Sequence, residues 1–216
     1  MKNWKSLNEF FRILNENTNY LVLRNYEDFE DGLIVVQHPD IDILCSDRDN
    51  LLKYACSESR VNKSDKIHRH ILIEGKLVDL DIRHVGDGYY DARWEQKMLG
   101  NKILYNGMCY VMDPENYYYS LLYHALIQKK VISNDYKKRL AGMASELDFS
   151  IKSPLSISTL ESYMKRKGYK YTYPINPRGI VNFTHVDKNL IEMNLYRQLM
   201  RTLYYLKRKI VNIIKK

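Results

Sequence analysis

Two stretches of sequence decide the fold, Asp40-Ile-Asp-Ile-Leu-Cys45 and Leu77-Val-Asp-Leu-Asp-Ile-Arg83, because each sets an Asp-x-Asp pair inside an otherwise aliphatic strand. Side chains alternate between the two faces of a strand, so both carboxylates of a pair share one face while the aliphatic residues point to the other. Two such strands in one sheet gather up to four carboxylates within a few ångströms. These carboxylates belong to Asp40, Asp42, Asp79 and Asp81.

Clustered carboxylates point to a bound cation, since mutual repulsion and desolvation otherwise raise their pKa values. Oxygen ligands suit Mg²⁺ or Mn²⁺, and Mg²⁺ is usually held by one or two carboxylates together with substrate phosphates. This favours phosphoryl or nucleotidyl transfer, with Asp40 and Asp42 as metal ligands. Asp79 or Asp81 is then the catalytic carboxylate that orients or deprotonates the attacking hydroxyl, and Asp81 is also a candidate ligand. A single Asp in a strand more often faces solvent, and it is the repetition of the pair on a second strand that favours a metal site.

The pattern of hydrophobic residues predicts an α+β chain, with an α/β core over residues 1–112 and a helical region over 113–216. In the first part we predict a helix over 4–17, strands over 20–24 and 39–45, and a helix capped by Ser46 or Asp47. Two hairpins follow, one over 71–83 that turns at Glu74-Gly75 and one over 103–111 that turns at Asn106-Gly107. The second part is predicted to contain helices over 115–130, 133–147 and 156–167 and a long final helix from about Asp187.

The composition of the 216 residues, 45% hydrophobic and 28% charged, is that of a globular protein. Apolar runs are too short to span a bilayer, and the amino terminus lacks the apolar core of a signal peptide, so a cytoplasmic location is expected. Three cysteines, without metal-ligand spacing, indicate neither a disulfide framework nor a zinc site, and we expect buried thiols at Cys45, Cys56 and Cys109.

The net charge of +8 is concentrated in residues 197–216, which hold seven cations and no acid, leaving 27 cations against 26 acids elsewhere. Nucleic acid is therefore an unlikely partner, because the body carries no comparable cationic excess. The last helix places Leu195, Leu199, Leu203 and Leu206 at steps of three and four, which makes it basic and amphipathic. Such a helix can lie on an anionic membrane, at the inner face of the membrane for a cytoplasmic chain, or pack as a core or dimer helix.

Three segments resemble a known superfamily: Leu-Arg-Asn-Tyr-Glu-Asp at 23–28, Asp-Ile-Asp-Ile-Leu at 40–44 and Asp-Ile-Arg-His-Val-Gly-Asp-Gly-Tyr-Tyr-Asp at 81–91. Over about residues 18–85 the chain resembles nucleotidyltransferases of the polymerase-beta type, above all the nucleotidyltransferase-like proteins of bacterial surface-polysaccharide gene clusters. It is more distantly similar to phosphocholine transferases and fukutin-related proteins. The resemblance implies a mixed sheet flanked by helices, two divalent ions on the first Asp pair, and a helical carboxy-terminal part beside the substrate cleft.

One departure from that superfamily concerns the phosphate-binding turn. The superfamily usually has Gly-Ser or Gly-Gly before the Asp pair, whereas the corresponding turn here is Arg24-Asn25. Arg24 could bind phosphate through its guanidinium instead of a backbone cradle. The change leaves room for a phosphorylated donor other than a nucleoside triphosphate.

Other candidate substrate contacts follow the second Asp pair or lie on the helix after Asp113. Arg83 and His84 could contact phosphate, although Arg83 could equally be an ion-pair partner of the carboxylates. On the helix, Tyr123 could stack on a base or sugar with His124 and Lys129 nearby, although core packing of the tyrosines is commoner. The strand residues His68 and His70 are predicted to be exposed. Arg178 could contact an anion or lie in a simple linker.

These patterns support two main hypotheses and a weaker third, a nucleotidyltransferase that modifies nucleic acid and binds RNA with a steep salt dependence. The first is a Mg²⁺-dependent nucleotidyl- or phosphotransferase of surface polysaccharide biosynthesis, which takes a nucleotide or CDP-alcohol donor and a sugar or glycan acceptor. The second is a catalytically silent protein of the same fold that acts as a binding or scaffold subunit at the membrane surface. Donor, acceptor and oligomeric state do not follow from the sequence.

Overall fold

The computed structural model describes residues 1–29, 40–61, 65–147, 153–176 and 179–214. The chain divides into two compact units, the first formed by residues 1–85 and 94–117 and the second by residues 86–93 and 118–216. The domain boundary predicted between residues 112 and 113 lies close to the point where the chain passes from the first unit to the second for the last time, between residues 117 and 118. Residues 86–93, which the sequence placed in the α/β core, belong to the second unit.

The first unit contains a mixed β-sheet, and its described strands run in the order β1-β5-β6-β3-β2-β8-β7, with β4 paired to β5. The strands are β1 Asn3–Trp4, β2 Tyr20–Val22, β3 Asp40–Cys45, β4 Glu58–Ser59, β5 His68–Ile73, β6 Lys76–His84, β7 Ile103–Tyr105 and β8 Cys109–Val111. Strands β3 and β6 are parallel neighbours at the centre, and β5 and β2 flank them in antiparallel pairing. The fold is therefore mixed α/β, as the sequence predicted at that level.

The described α-helices occur in both units, and two of them cross the division between the units. They are α1 Leu7–Asn17, α2 Arg48–Ala55, α3 Ala92–Gly100, α4 Pro114–Tyr123, α5 Asn134–Glu146, α6 Ile157–Lys167 and α7 Leu195–Ile214. A π-helical turn, His124–Gln128, continues α4, and a 3₁₀ turn, Lys188–Leu190, precedes α7. No helix among the described residues combines the length and apolar character needed to cross a bilayer.

Local sequence signals explain the turns and helix ends of the first unit. Both predicted hairpins are confirmed, with positive φ angles at Glu74 and Gly75 (51° and 76°) and at Asn106 and Gly107 (48° and 69°). Positive φ at both central residues is the requirement of a type I′ turn. The cap of α2 is confirmed too, because the Asp47 side chain accepts a hydrogen bond from the Asn50 backbone N–H at 3.0 Å.

Helix α7 begins later than the sequence predicted, at Leu195 instead of about Asp187. Residues next to the 3₁₀ turn pair with Tyr171, whose N–H donates to Leu190 O (2.7 Å) and whose carbonyl accepts from Glu192 N–H (2.8 Å). This bridge holds the chain extended and delays the helix. Helix α3 was not predicted, since its buried residues, including Trp94 and Met98, follow a tyrosine-rich stretch without a clear helix start.

The aliphatic face of the sheet lies against α1. Four central residues on this face, Ile41, Ile43, Leu80 and Ile82, are fully buried. Tyr20 pairs in register with Cys45, which alternation places on that same face, and its ring stacks on Phe11 of α1 (6.1 Å between centroids). The carboxylates of β3 and β6 consequently point to the opposite face.

The second unit has an aromatic core. The rings of Tyr119 and Tyr163 stack at 3.7 Å between centroids, and the ring of Tyr123 contacts those of Tyr90 and Tyr171. The many tyrosines of the sequence therefore serve packing here. The cysteines differ from one another, because Cys45 and Cys109 are buried thiols as predicted, whereas Cys56 is exposed.

Candidate active site on the carboxylate face of the sheet

The two Asp-x-Asp pairs lie side by side on neighbouring strands. In the parallel β3–β6 ladder, Asp40 is the register partner of Asp79 and Asp42 is the register partner of Asp81. Residues directly opposite one another on adjacent strands have side chains within contact distance. The structure thus brings together on one face all four carboxylates that the sequence singled out.

Asp42 is the most deeply buried of the four carboxylates, and it forms an ion pair with Arg24. The distance from Arg24 Nε to Asp42 Oδ2 is 2.8 Å, and both side chains are at most one tenth exposed. The strand geometry supports the pair, since Leu23 N–H donates to the Asp42 carbonyl at 2.8 Å. A buried carboxylate is thereby held in place by a buried guanidinium.

Arg60, which follows β4, forms ion pairs with both carboxylates of the second Asp pair. Arg60 Nη2 lies 2.6 Å from Asp81 Oδ1, and Nη1 contacts Asp79 Oδ2. Sequence reasoning did not identify Arg60, because the two-residue strand β4 has no detectable pattern and no motif includes the residue. Only its pairing next to β5 brings it to the carboxylate face.

Asp79 and Asp81 differ in their surroundings. The Asp81 side chain is 22% exposed and that of Asp79 is 45% exposed. Burial raises the pKa of the Asp81 carboxyl, and the negative charge of Asp42 raises it further, against the opposing effect of Arg60, His68 and Arg83. A carboxylate with a raised pKa is a stronger base, so Asp81 is the better suited of the two to accept a proton.

Two histidines extend the polar face onto β5. His68 is the register partner of Asp81, and His70 is the register partner of Asp79. Both are half-buried instead of exposed as the sequence predicted. His68 Nδ1 also lies 3.0 Å from Asp65 Oδ2; partial burial raises the pKa of Asp65, but hydrogen bonds from the His68 backbone N–H, the His68 ring and the Ile67 backbone N–H lower it to about 2.

The Arg24-Asn25 turn, which the sequence suggested as a phosphate-binding turn, has an unusual backbone. Asn25 adopts a left-handed conformation with φ 61° and is buried. Glycine usually occupies such positions, and Asn is among the few other residues that tolerate them. Behind the turn, the Tyr26 ring contacts Tyr105 and Tyr117, and Tyr117 Oη donates to Glu27 Oε1 at 2.5 Å.

Arg83 and His84 lie on opposite faces of the sheet. Arg83 follows Asp81 by two residues on β6 and so shares the carboxylate face, where its charge helps to lower the pKa of Asp81. His84 pairs in register with Cys45, on the aliphatic side. Of these two predicted phosphate contacts, only Arg83 shares a face with the carboxylates.

The remaining predicted substrate contacts belong to the second unit. The Tyr123 side chain is fully buried, with its ring packed between other tyrosines. His124 is buried, with Nδ1 2.8 Å from Gln128 Oε1 and 3.2 Å from Tyr89 Oη, and Gln128 Nε2 donates to the Tyr89 carbonyl. Lys129 is exposed. The Tyr123 ring thus packs in the core of this unit, and Arg178 falls outside the described residues.

A cavity of about 380 Å³ lies in the second unit. Among its lining residues, Asp91 accepts hydrogen bonds from Arg93 Nη2 (2.9 Å) and from the Lys170 backbone N–H (2.8 Å). Arg197 Nη2 donates to Gly86 O at 2.8 Å, and Nη1 donates to Tyr173 O at 3.2 Å. Sequence reasoning grouped Arg197 with the basic tail, whereas the structure shows it bound to two backbone carbonyls.

Gly88 lines the same cavity and has no room for a side chain. Its φ angle is +78°, and a Cβ atom there would lie 2.3 Å from the Tyr173 carbonyl oxygen and 2.5 Å from Arg197 Nη1. Both distances are well below van der Waals contact. The residue is therefore a glycine for steric as well as conformational reasons.

Among the described residues, no group of three or more His, Cys, Asp or Glu side chains is arranged as a ready-made metal site. Three of the carboxylates, Asp42, Asp79 and Asp81, are instead engaged by the guanidinium groups of Arg24 and Arg60. The register-paired Asp42 and Asp81 still match the donor set that Mg²⁺ takes in phosphoryl-transfer sites, one or two carboxylates completed by substrate phosphates and water. The residues fit an ion that binds together with a phosphorylated substrate.

Comparison of the chain with protein-family models, with curated proteins and with solved structures finds no match.

Proposed function

We propose that the protein is a Mg²⁺-dependent nucleotidyl- or phosphotransferase whose active site is the carboxylate face of the sheet. The observation that carries the proposal is the register of the β3–β6 ladder, which sets Asp40 and Asp42 directly opposite Asp79 and Asp81. All four of these carboxylates are more than half buried, an arrangement that is costly without positive charge beside it.

In this proposal Asp40 and Asp42 hold the ion, and Asp81 is the third carboxylate. Asp81 is preferred to Asp79 because it lies opposite Asp42, is less exposed and has the raised pKa. It accepts the proton of the attacking hydroxyl or orients that hydroxyl toward phosphorus. A bound Mg²⁺ or Mn²⁺ would neutralise charge on the transferring phosphate and its leaving group.

The arginines divide between positioning and substrate binding. Arg24 Nε bonds to Asp42 and fixes the orientation of that carboxylate. Arg83, on the same face, is placed to contact a phosphate oxygen, for which the planar guanidinium is well suited. Arg60 pairs with both Asp79 and Asp81 and would have to release Asp81 for an ion and a phosphate to bind there.

The biological setting follows from resemblance alone. The segments at 23–28, 40–44 and 81–91 are similar to nucleotidyltransferase-like proteins of surface-polysaccharide gene clusters. We therefore infer a nucleotide or CDP-alcohol donor and a sugar or glycan acceptor, used in the cytoplasm during polysaccharide assembly. The left-handed Asn25 supports the correspondence of the Arg24-Asn25 turn with the phosphate-binding turn of that superfamily.

The test is calorimetric titration of the protein with Mg²⁺ or Mn²⁺ together with a panel of nucleoside triphosphates and CDP-alcohols. The panel is repeated with the variant Asp40→Asn/Asp42→Asn and with a matched control, Asp49→Asn/Asp135→Asn. The control removes the same amount of charge from two side chains that are largely exposed. We expect metal-dependent binding of one donor class in the native chain and the control and its loss in the first variant. A folded native chain that binds no member of the panel, or equal binding by the two variants, would contradict the proposal.

A second candidate is a catalytically silent protein of this fold that acts as a binding or scaffold subunit. The observation that favours it is that Arg24 and Arg60 already form ion pairs with three of the four carboxylates. In that case the ion pairs stabilise the sheet and no divalent ion binds. Titration with Mn²⁺ alone and with each donor separates the two candidates, because the scaffold gives no metal-dependent heat.

A further inference from the structure

Helix α7 faces the opposite way from an ordinary amphipathic helix of a globular protein. Its leucines point to solvent: Leu195 is 72% exposed, Leu199 57%, Leu203 50% and Leu206 52%. Amphipathic helices normally bury this stripe against the core. Four leucines on successive turns therefore form an apolar surface that the described part of the chain leaves uncovered.

The orientation is set by two arginines on the polar side of the helix. Arg197 donates to the carbonyls of Gly86 and Tyr173, and Arg201, only 8% exposed, donates to Gly179 O at 2.8 Å. Both contacts lie within the second unit. The helix is thus fixed to its unit through its cations, which leaves the leucines outward.

Charge complementarity identifies the occupant of this apolar surface. Residues 193–216 contain no acidic residue, and five cations follow Leu206 in the sequence. Tyr196 and Tyr205 are also exposed, and tyrosine favours the boundary between water and lipid. Exposed leucine and tyrosine next to a run of cations is the composition of a helix that lies in the interface of an anionic bilayer.

A second copy of the chain is the competing occupant, because Leu199, Leu203 and Leu206 have the four-and-three spacing of a coiled-coil seam. Positions beside such a seam normally carry opposite charges that pair across it. Here the position that follows Leu206 is Lys207, and no acid on the helix can pair with it. Self-association through this face would bring like charges together, and an anionic surface would not.

We propose that α7 docks the protein on anionic membrane surfaces, with the Leu195, Leu199, Leu203 and Leu206 face in the headgroup and acyl boundary. The helix lies on the membrane and does not cross it. The proposal is independent of the carboxylate face, since it would hold for an enzyme and for a scaffold alike.

The test is cosedimentation of the full chain with vesicles of phosphatidylcholine alone and of phosphatidylcholine mixed with phosphatidylglycerol. We expect binding to the mixed vesicles only. Leu199→Gln/Leu203→Gln should reduce it at least tenfold, the equivalent of about 1.4 kcal/mol, because two apolar side chains no longer enter the membrane interface. Lys207→Gln should reduce it about fivefold, the equivalent of ~1 kcal/mol for one cation near the surface.

The matched control is Leu77→Gln/Leu104→Gln, which removes two comparably exposed leucines from the first unit. The control should bind as the native chain does, and circular dichroism and thermal melting establish that each variant is folded. Absence of binding to mixed vesicles at low salt would overturn the proposal, as would equal binding to both vesicle types. A doubled mass in sedimentation velocity that depends on Leu199 and Leu203, without vesicle binding, would assign the surface to a second copy instead.

Discussion

The β3–β6 strand pair and helix α7 depart from the usual distribution of residues in opposite directions. The strand pair buries carboxylates, with Asp42 at 5% exposure, whereas α7 exposes leucines, with Leu195 at 72%. Soluble proteins rarely bury a charge without a partner, and they rarely expose a contiguous apolar stripe. Only the first departure is compensated within the described residues. The buried carboxylates are paired with arginines, whereas no described residue covers the leucines.

The difference indicates where each region obtains its stabilisation. On the carboxylate face, Asp42, Asp79 and Asp81 already have arginine partners within the chain, so a metal ion would have to displace existing ion pairs. The exposed leucine area of α7 contributes no hydrophobic stabilisation to the folded chain. It would contribute only when a further surface covers it. Substitutions in the two regions should accordingly differ in what they change, stability in the first and binding in the second.

The largest expected effect is that of Asp42→Ala on stability. The substitution removes the carboxylate that pairs with the buried Arg24 guanidinium, and breaking a buried ion pair in this way costs about 3–5 kcal/mol of unfolding free energy. The double variant Arg24→Met/Asp42→Leu should recover most of that loss, because an apolar pair of similar volume removes both charges. Urea denaturation of the native chain, of the single variants Arg24→Met and Asp42→Leu and of the double variant measures the cycle, and a loss in the double variant equal to the sum of the two single losses would contradict the pairing.

A smaller effect is expected for Arg60→Ala, which removes the guanidinium shared by Asp79 and Asp81. With this competing charge gone, Mn²⁺ should bind about fivefold more tightly, which corresponds to roughly 1 kcal/mol for one partly exposed charge. Calorimetric titration measures the change, with Arg12→Ala as a control that removes a surface arginine paired to Glu16. Weaker Mn²⁺ binding by the Arg60 variant would show that Arg60 supports the site instead of competing for it.

The pH dependence of stability provides a third test, with a smaller expected amplitude. The folded protein raises the pKa of Asp81, so the folded state binds that proton more tightly than the unfolded chain does. The contribution of Asp81 to stability is therefore fully present below the ordinary Asp pKa, near 4, and is lost as the pH rises through the raised pKa. Asp81→Asn should gain stability relative to the native chain across that window, and denaturation at a series of pH values would show it. A constant difference between the two chains would mean that Asp81 does not titrate as described.

The smallest effect is expected for Leu199→Gln/Leu203→Gln in the absence of membranes. Both side chains are at least half exposed, so the free energy of unfolding should change by no more than about 0.5 kcal/mol. Leu80→Ala, a substitution of a fully buried leucine, should cost about 2–5 kcal/mol and provides the contrast. A large destabilisation by the α7 variant, measured by urea denaturation, would mean that another part of the chain covers the leucines.

Period-two alternation allowed the clustering of the carboxylates to be predicted from the sequence. It placed all four aspartates on one face, and the structure adds the β3–β6 register that aligns Asp42 with Asp81. That register could not be predicted, because strand order and parallel pairing depend on contacts between distant segments. Arg60 and His68 were missed for the same reason, since each reaches the site only through the pairing of β4 and β5 with the rest of the sheet.

Local signals predicted the turns and caps better than they predicted the long final helix. Asn106-Gly107 and Asp47 act through their own backbone neighbours, and both predictions are confirmed. The prediction of where α7 begins was wrong, because Tyr171, which lies about twenty residues earlier in the chain, pairs with residues 190–192. The amphipathic pattern of α7 was visible in the sequence, but the pattern could not indicate which face would point outward, since hydrogen bonds of Arg197 and Arg201 determine it.

Gly88 limits which substitutions this chain can accept during evolution. Any side chain at that position would collide with Arg197 Nη1 and with the Tyr173 carbonyl that Arg197 binds. A mutation at position 88 would thus act at a distance, by loosening the hydrogen bonds that fix the orientation of α7. In a library randomised at position 88 and selected for native folding, glycine should be recovered almost exclusively, whereas the exposed leucines of α7 should drift freely unless membrane attachment is also selected.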